Sequence, residues 1–235
     1  MRSLCIFIIF ICTLFLGCAA KEEPVLPLEV LYEQGTQAMQ QKKYKLAVKA
    51  FKAIRDHYPF SQYAEEAILN LSDSYFLSNQ FLQAADSYKE FEMLYPRHKV
   101  IPYVMYQIGF CYQSLFISVD REIDSLVEAK GYYQKLIDIY PNSNYGTKAK
   151  EQILTITRKL AERDIYLANF YWRTERYGAA YVRYTEVIEK YPELQDIATY
   201  AKKQATISYL KFMEQQAEQA QDEGRFQFKD LFQWL

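Results

Sequence analysis

One spacing recurs four times along this chain and limits its fold more than any other feature. Ala47, Phe51, Ile54, Tyr58 and Pro59 are matched at identical offsets by Ala84, Tyr88, Phe91, Tyr95 and Pro96. The same offsets return in Ala129, Tyr133, Leu136, Tyr140 and Pro141, and again in Ala180, Tyr184, Val187, Tyr191 and Pro192. Steps of four, three and four residues keep each set on one face of an α-helix. The proline then ends the helix, because it has no N–H to continue the hydrogen-bond ladder. Ahead of each set lies a second pattern centred on a small residue: Gly35 with Leu31 and Ala38, Ser72 with Ile68 and Tyr75, Gly109 with Met105 and Tyr112, Ala168 with Leu167 and Tyr171. A small side chain there lets two helices approach closely. The small residue precedes the next frame Ala by 12 positions in units one, two and four and by 20 in unit three, which predicts an eight-residue insertion around Ile117 to Ser125. From each proline to the next small residue the distance is 13, 13 and then 27. The first helix of the fourth unit is therefore expected to be 14 residues longer, from about Tyr145 to Arg173.

Small, Ala, aromatic and Pro positions recurring in this order resemble the tetratricopeptide consensus of helix-turn-helix units about 34 residues long. The expected fold is all-α: a right-handed superhelical solenoid of about five tetratricopeptide-like helix pairs. The fifth is a degenerate pair after Pro192, with Ile197, Ala201, Ala205 and Tyr209 on one face. Such pairs cannot bury their apolar faces alone; stacking buries them and leaves a concave surface made mainly by the first helices. Most of the 22 tyrosines are then expected in the seams between helices.

Met1-Arg2-Ser3 followed by the apolar run Leu4 to Leu16 has the form of an export signal and is too short to span a bilayer comfortably. Its end, Leu14-Phe15-Leu16-Gly17-Cys18, resembles the lipobox of bacterial lipoproteins, whose cysteine is acylated on sulfur and becomes the new N-terminus. That resemblance implies a signal peptide over residues 1–17, lipidation at Cys18 and, with Ala19 next where Asp would retain it in the inner membrane, delivery to the outer membrane. An ordinary signal peptide or an N-terminal anchor helix is the other reading. Residues 18–27, with Pro24 and Pro27, read as an extended tether. Of four cysteines only Cys111 would stay free in the mature chain, so no internal disulfide is expected. Its place between Phe110 and Tyr112 reads as that of a small buried hydrophobe.

A net charge of −1 offers no basic nucleic-acid footprint. With two histidines and no metal-ligand spacing around them, neither a catalytic centre nor a metal or cofactor is expected. Asp120, Glu122 and Asp124 alternate like a calcium loop, but Ser125 stands where Gly is needed and Gly131 where Glu is needed, so calcium is rejected.

Other strings lie between the repeats: Tyr58-Pro59-Phe60 with Tyr63; His98 and Tyr103-Val104-Met105-Tyr106 with Gly109; Val119-Asp120-Arg121; Tyr140-Pro141-Asn142-Ser143 with Tyr145; Leu160-Ala161 ahead of Tyr171. In this order, over roughly residues 30–200 and after a lipobox, they resemble the BamD (ComL) family, lipoproteins of the β-barrel assembly machinery. The resemblance implies a non-catalytic scaffold on the periplasmic face of the outer membrane, held there by its N-terminal lipid and without a nucleic-acid partner. An N-terminal half, residues 28–142, would receive unfolded outer-membrane proteins, with Tyr58, Phe60 and Tyr63 as peptide-binding residues. A C-terminal half, residues 143–225, would bind the BamA-type barrel protein, with Arg183 at the interface. The apolar tail 226–235 departs from the family pattern and is either a cap on the solenoid or a further docking segment. The competing reading is a tetratricopeptide lipoprotein that coordinates peptidoglycan synthesis or another envelope complex; an enzyme bound to a repeat scaffold is more distant.

Overall fold

A computed structural model describes residues 25–118 and 123–232, with side chains only as far as residue 221 at the C-terminal end. Its elements are α1 (Leu28–Gln40), α2 (Tyr44–His57), α3 (Ala64–Leu77), α4 (Phe81–Leu94), α5 (Ile101–Ser114), α6 (Asp124–Ile139), α7 (Asn144–Arg173), α8 (Tyr177–Lys190) and α9 (Gln195–Phe232). Each helix packs on the next in chain order, so α1/α2, α3/α4, α5/α6 and α7/α8 stack as four antiparallel pairs and α9 closes the array.

The repeated frame is the spine of the core. Ala47, Ala84, Ala129 and Ala180 are all fully buried. At two of the four small positions the close approach can be read directly: a Cβ on Gly35 would lie 2.7 Å from the Phe51 ring, and one on Gly109 would lie 2.8 Å from Tyr133. In the second pair the same place is taken by a hydrogen bond, Ser72 Oγ donating to Ser87 Oγ at 2.8 Å. The three short turns inside pairs share a device. Lys42, Asn79 and Glu175, each five residues before the frame Ala, take the left-handed conformation (φ 56°, 60° and 60°) that reverses the chain after a helix.

The insertion in the third pair falls between Ser114 and Asp124, and α7 has 30 residues. Ser143 caps α7, its Oγ accepting from the Gly146 N–H at 2.9 Å. The core runs unbroken across residues 142–143, from Ile68 to Ala205, while a smaller cluster from Leu31 to Leu71 fills the first pair and its contact with α3. Cys111 is buried within the larger cluster, and burial pushes its thiol up to about 12.

The fifth element differs from expectation: it is one helix of 38 residues and not a pair. After Tyr209 the chain runs Leu210-Lys211-Phe212-Met213-Glu214-Gln215-Gln216-Ala217-Glu218, strong helix formers with neither proline nor a turn pair to reverse them. The buried face of α9 is Ile197, Ala201, Ala205 and Ser208, whereas Tyr209 is 45% exposed and packs its ring on Tyr181 at 5.4 Å. The backbone of the apolar tail continues α9 as far as Phe232.

Candidate functional site

Side chains on the first helices of successive pairs meet one another and build an aromatic wall along that row. Phe76 on α3 packs edge-on against Phe110 on α5 at 5.6 Å between ring centroids. Tyr103 and Tyr106 on α5 both reach Tyr145 at the start of α7, each at 5.6 Å. At the N-terminal end of the row, Tyr32 on α1 stacks on Tyr63 beside α3 at 4.2 Å, with the ring planes 17° apart. A hydrogen bond to Glu66, with some burial, pushes the Tyr32 hydroxyl up to about 12.

Behind this wall sits a polar hub that the repeat frame conceals. Asp73 on α3 accepts from the Tyr103 hydroxyl at 2.6 Å and from the Tyr88 hydroxyl, and Tyr103 accepts in turn from Gln107 Nε2 at 3.1 Å. Burial pushes the Asp73 carboxyl up, against the opposing pull of both hydroxyls. The fourth pair repeats the arrangement. Asn169 Oδ1 accepts from the frame Tyr184 and, at 3.0 Å, from Tyr200 on α9. Asp73 and Asn169 both directly follow the small residue, 15 positions before the frame Tyr. A polar residue at that offset, on a face that should be apolar, is the signal that would have revealed them.

The three N-terminal candidates cluster where α2 turns into α3 but stand in different environments. Tyr58 is half-buried against the first-pair core, and its hydroxyl donates to the Leu26 carbonyl at 3.1 Å, tying down the segment that leads into α1. Phe60 is 100% exposed. Tyr63, beside them, carries the stacked contact with Tyr32. Cys18 lies outside the described residues, as does the string Val119-Asp120-Arg121.

Arg183 is on α8 with its side chain 48% exposed and pairs with Glu186 one turn on, at 2.8 Å. Together they line a cavity of about 480 Å³ between α7 and α8, with Asp164, Leu167, Glu189 and Lys190. Asp164 holds the opposite wall by accepting from Lys190 and from the Tyr191 hydroxyl, each at 2.8 Å. The result is a notch of alternating charge whose guanidinium pairs with an exposed carboxylate on its own helix.

The YfiO outer membrane lipoprotein family matches residues 26–223. The chain is similar to the outer membrane protein assembly factor BamD of Caulobacter vibrioides, 26% identical over 181 residues that cover 74% of this chain and 59% of that protein. It is also similar to the factor of the same name from Vibrio cholerae, 27% identical over 195 residues, covering 78% of this chain and 81% of that one. The match thus spans less than two thirds of the Caulobacter relative. Among solved structures it is similar to the first TPR domain of human RPAP3, with 22% identity and a TM-score of 0.43 over 58% of this chain and 94% of that one.

Proposed function

The chain belongs to the YfiO family of outer membrane lipoproteins, the family of the BamD assembly factors, and from that premise we propose that it is a non-catalytic scaffold subunit of a β-barrel assembly (Bam) complex. It assists the assembly and insertion of outer-membrane proteins. The observation that carries this reading is the family match over residues 26–223, which takes in all four pairs and most of α9's packed length. In this reading the aromatic wall on α1, α3 and α5 receives an extended segment of an unfolded client, since such a segment needs pockets for alternate side chains. The notch at Arg183 meets a BamA-type barrel protein. Co-purification from detergent-solubilised membranes tests the whole: recovery of a barrel protein supports it, whereas recovery of wall-synthesis proteins in its place overturns it.

Tyr63 separates groove from core. Its ring lies at the surface of the wall and outside both buried clusters, so Tyr63→Ala should cost about 1 kcal/mol of stability at most, the scale of one aromatic pair. Affinity for a peptide ending in Phe should fall roughly tenfold, as for a side chain near the centre of a recognition surface. Peptide titration beside thermal melting decides it; a large drop in melting temperature with unchanged affinity would make Tyr63 a core residue.

Among the described residues no helix is long and apolar enough to cross a membrane. Attachment then rests on Cys18, where several acyl chains anchor stably although a single one does not. Cys18→Ala should move the protein from the membrane pellet to the soluble fraction after a high-salt wash, with its helicity unchanged. Continued sedimentation once partner complexes are dissociated would remove the lipid anchor.

A further inference from the structure

Among the described residues no helix stacks on the outer face of the first pair, the face turned away from α3. Between α1 and α2 it carries a groove of about 570 Å³ floored by Leu31, Ala38, Leu46, Ala50 and Ala53, with Val25 and Leu26 at one end. Leu46 is 58% exposed, Val25 45% and Leu26 44%. Alongside runs a stripe of cations: Lys45, Lys49 and Lys52 follow at steps of four and three, which keeps them on one side of α2, Lys42 and Lys43 stand in the turn just before it, and Lys43 and Lys49 are at the groove's rim. All five lysines are exposed, and none takes part in an ion pair among the described residues. Arg55, by contrast, is already paired with Asp56 and Glu90. Residues 28–57 hold six Lys or Arg against three Asp or Glu, a net +3 in a chain whose total is −1.

The geometry points to a second membrane contact: the open face of the first helix pair binds an anionic lipid surface, its lysines on headgroup phosphates and its exposed Val25, Leu26 and Leu46 at the acyl boundary. Charge complementarity is the first reason. Unpaired ammonium groups on long stems can rest apolar methylenes on the groove while reaching phosphates, a mixture that suits a bilayer interface better than an acidic protein surface. Position is the second. Val25 lies seven residues from Cys18, so an extended chain holds this face within about 25 Å of the lipidated residue. For that distance argument alone, the inference rests on lipidation at Cys18. The contact would orient the solenoid with its first pair against the membrane and its later pairs pointing into the periplasm.

The assay uses the mature chain from residue 18 carrying Cys18→Ala, so that an anchor cannot mimic the surface. It is titrated with vesicles of phosphatidylcholine alone and with about one third phosphatidylglycerol. Binding should be at least tenfold tighter to the anionic vesicles and should collapse near 1 M salt, where screening shortens to about 3 Å. Each lysine close to such a surface contributes about fivefold, so Lys45→Glu with Lys49→Glu should weaken binding by about 30-fold or more at unchanged melting temperature. The same reversal at the exposed Lys202 and Lys203 on α9 should change little. Equal binding to both vesicles, no binding, or an equal loss from the α9 pair would each overturn the inference. So would vesicle binding that survives the α2 reversals while an acidic protein is lost from detergent extracts. Cys18-dependent sedimentation of the lipidated protein is read separately, so failure of the anchor and failure of this surface give different results.

Discussion

Replacing Tyr133 with Ala should destabilise the solenoid by about 3 to 5 kcal/mol, the range for truncating a large aromatic in a core that cannot collapse around the void. Tyr133 is fully buried; its ring meets Gly109 on one side and Tyr106 at 5.5 Å on another, and its hydroxyl donates to Gln113 at 3.1 Å. Gln113 itself donates to Gln152 at 2.9 Å, so the loss is felt in α5, α6 and α7 together. Two milder variants divide the effect. Tyr133→Phe keeps the ring and removes one hydrogen bond, costing about 1 kcal/mol. Gly109→Ala drives a Cβ to 2.8 Å from the ring and should cost about 1 to 3 kcal/mol, because an aromatic ring cannot flex aside as a lysine tail can. Denaturant unfolding followed by helicity measures all three. A loss below about 1 kcal/mol for Tyr133→Ala would show that the seam between α5 and α6 within the third pair tolerates a void.

On the proposed function, Arg183→Leu should weaken binding of the periplasmic domain of a BamA-type barrel protein by about 2 to 5 kcal/mol if its guanidinium meets a carboxylate that the complex buries, since the other charge is then left unpaired. In the free chain Arg183 pairs with Glu186 at 2.8 Å, an exposed pair one turn apart. An intrahelical pair of that kind is worth about 0.3 to 0.5 kcal/mol, so exchanging Glu186 for an incoming carboxylate costs little. Arg183→Lys should not restore affinity, because an ammonium cannot make the two parallel hydrogen bonds of a guanidinium. Glu186→Ala should leave affinity unchanged or raise it, whereas a purely structural role for the pair would make both substitutions harmful. Surface binding assays on the four proteins, with circular dichroism as the control, decide between these. Unchanged affinity for Arg183→Leu takes the residue out of the interface.

Local periodicity was enough to determine the four pairs. Ala47, Ala84, Ala129 and Ala180 could be assigned to the core, the extra loop to the third pair and the length to α7, because helix period, close approach at a small residue and termination at proline act within a few turns of chain. The limit shows at α9, where the apolar spacing set the buried face one residue off at its end: Ser208 lies under α8's contact and Tyr209 at its edge. An apolar stripe alone does not say whether a second helix follows. What only the tertiary structure decided is which polar and aromatic groups find each other across helices. Asp73 is shared by tyrosines 15 and 30 residues away, Tyr32 stacks on Tyr63, and Tyr58 reaches back to Leu26. Such partners are set by how neighbouring pairs stack, a geometry that a one-dimensional pattern does not carry. The lysine stripe likewise becomes a surface only when α1 and α2 set it beside Val25 and Leu26, at an end of the array that no other described helix covers.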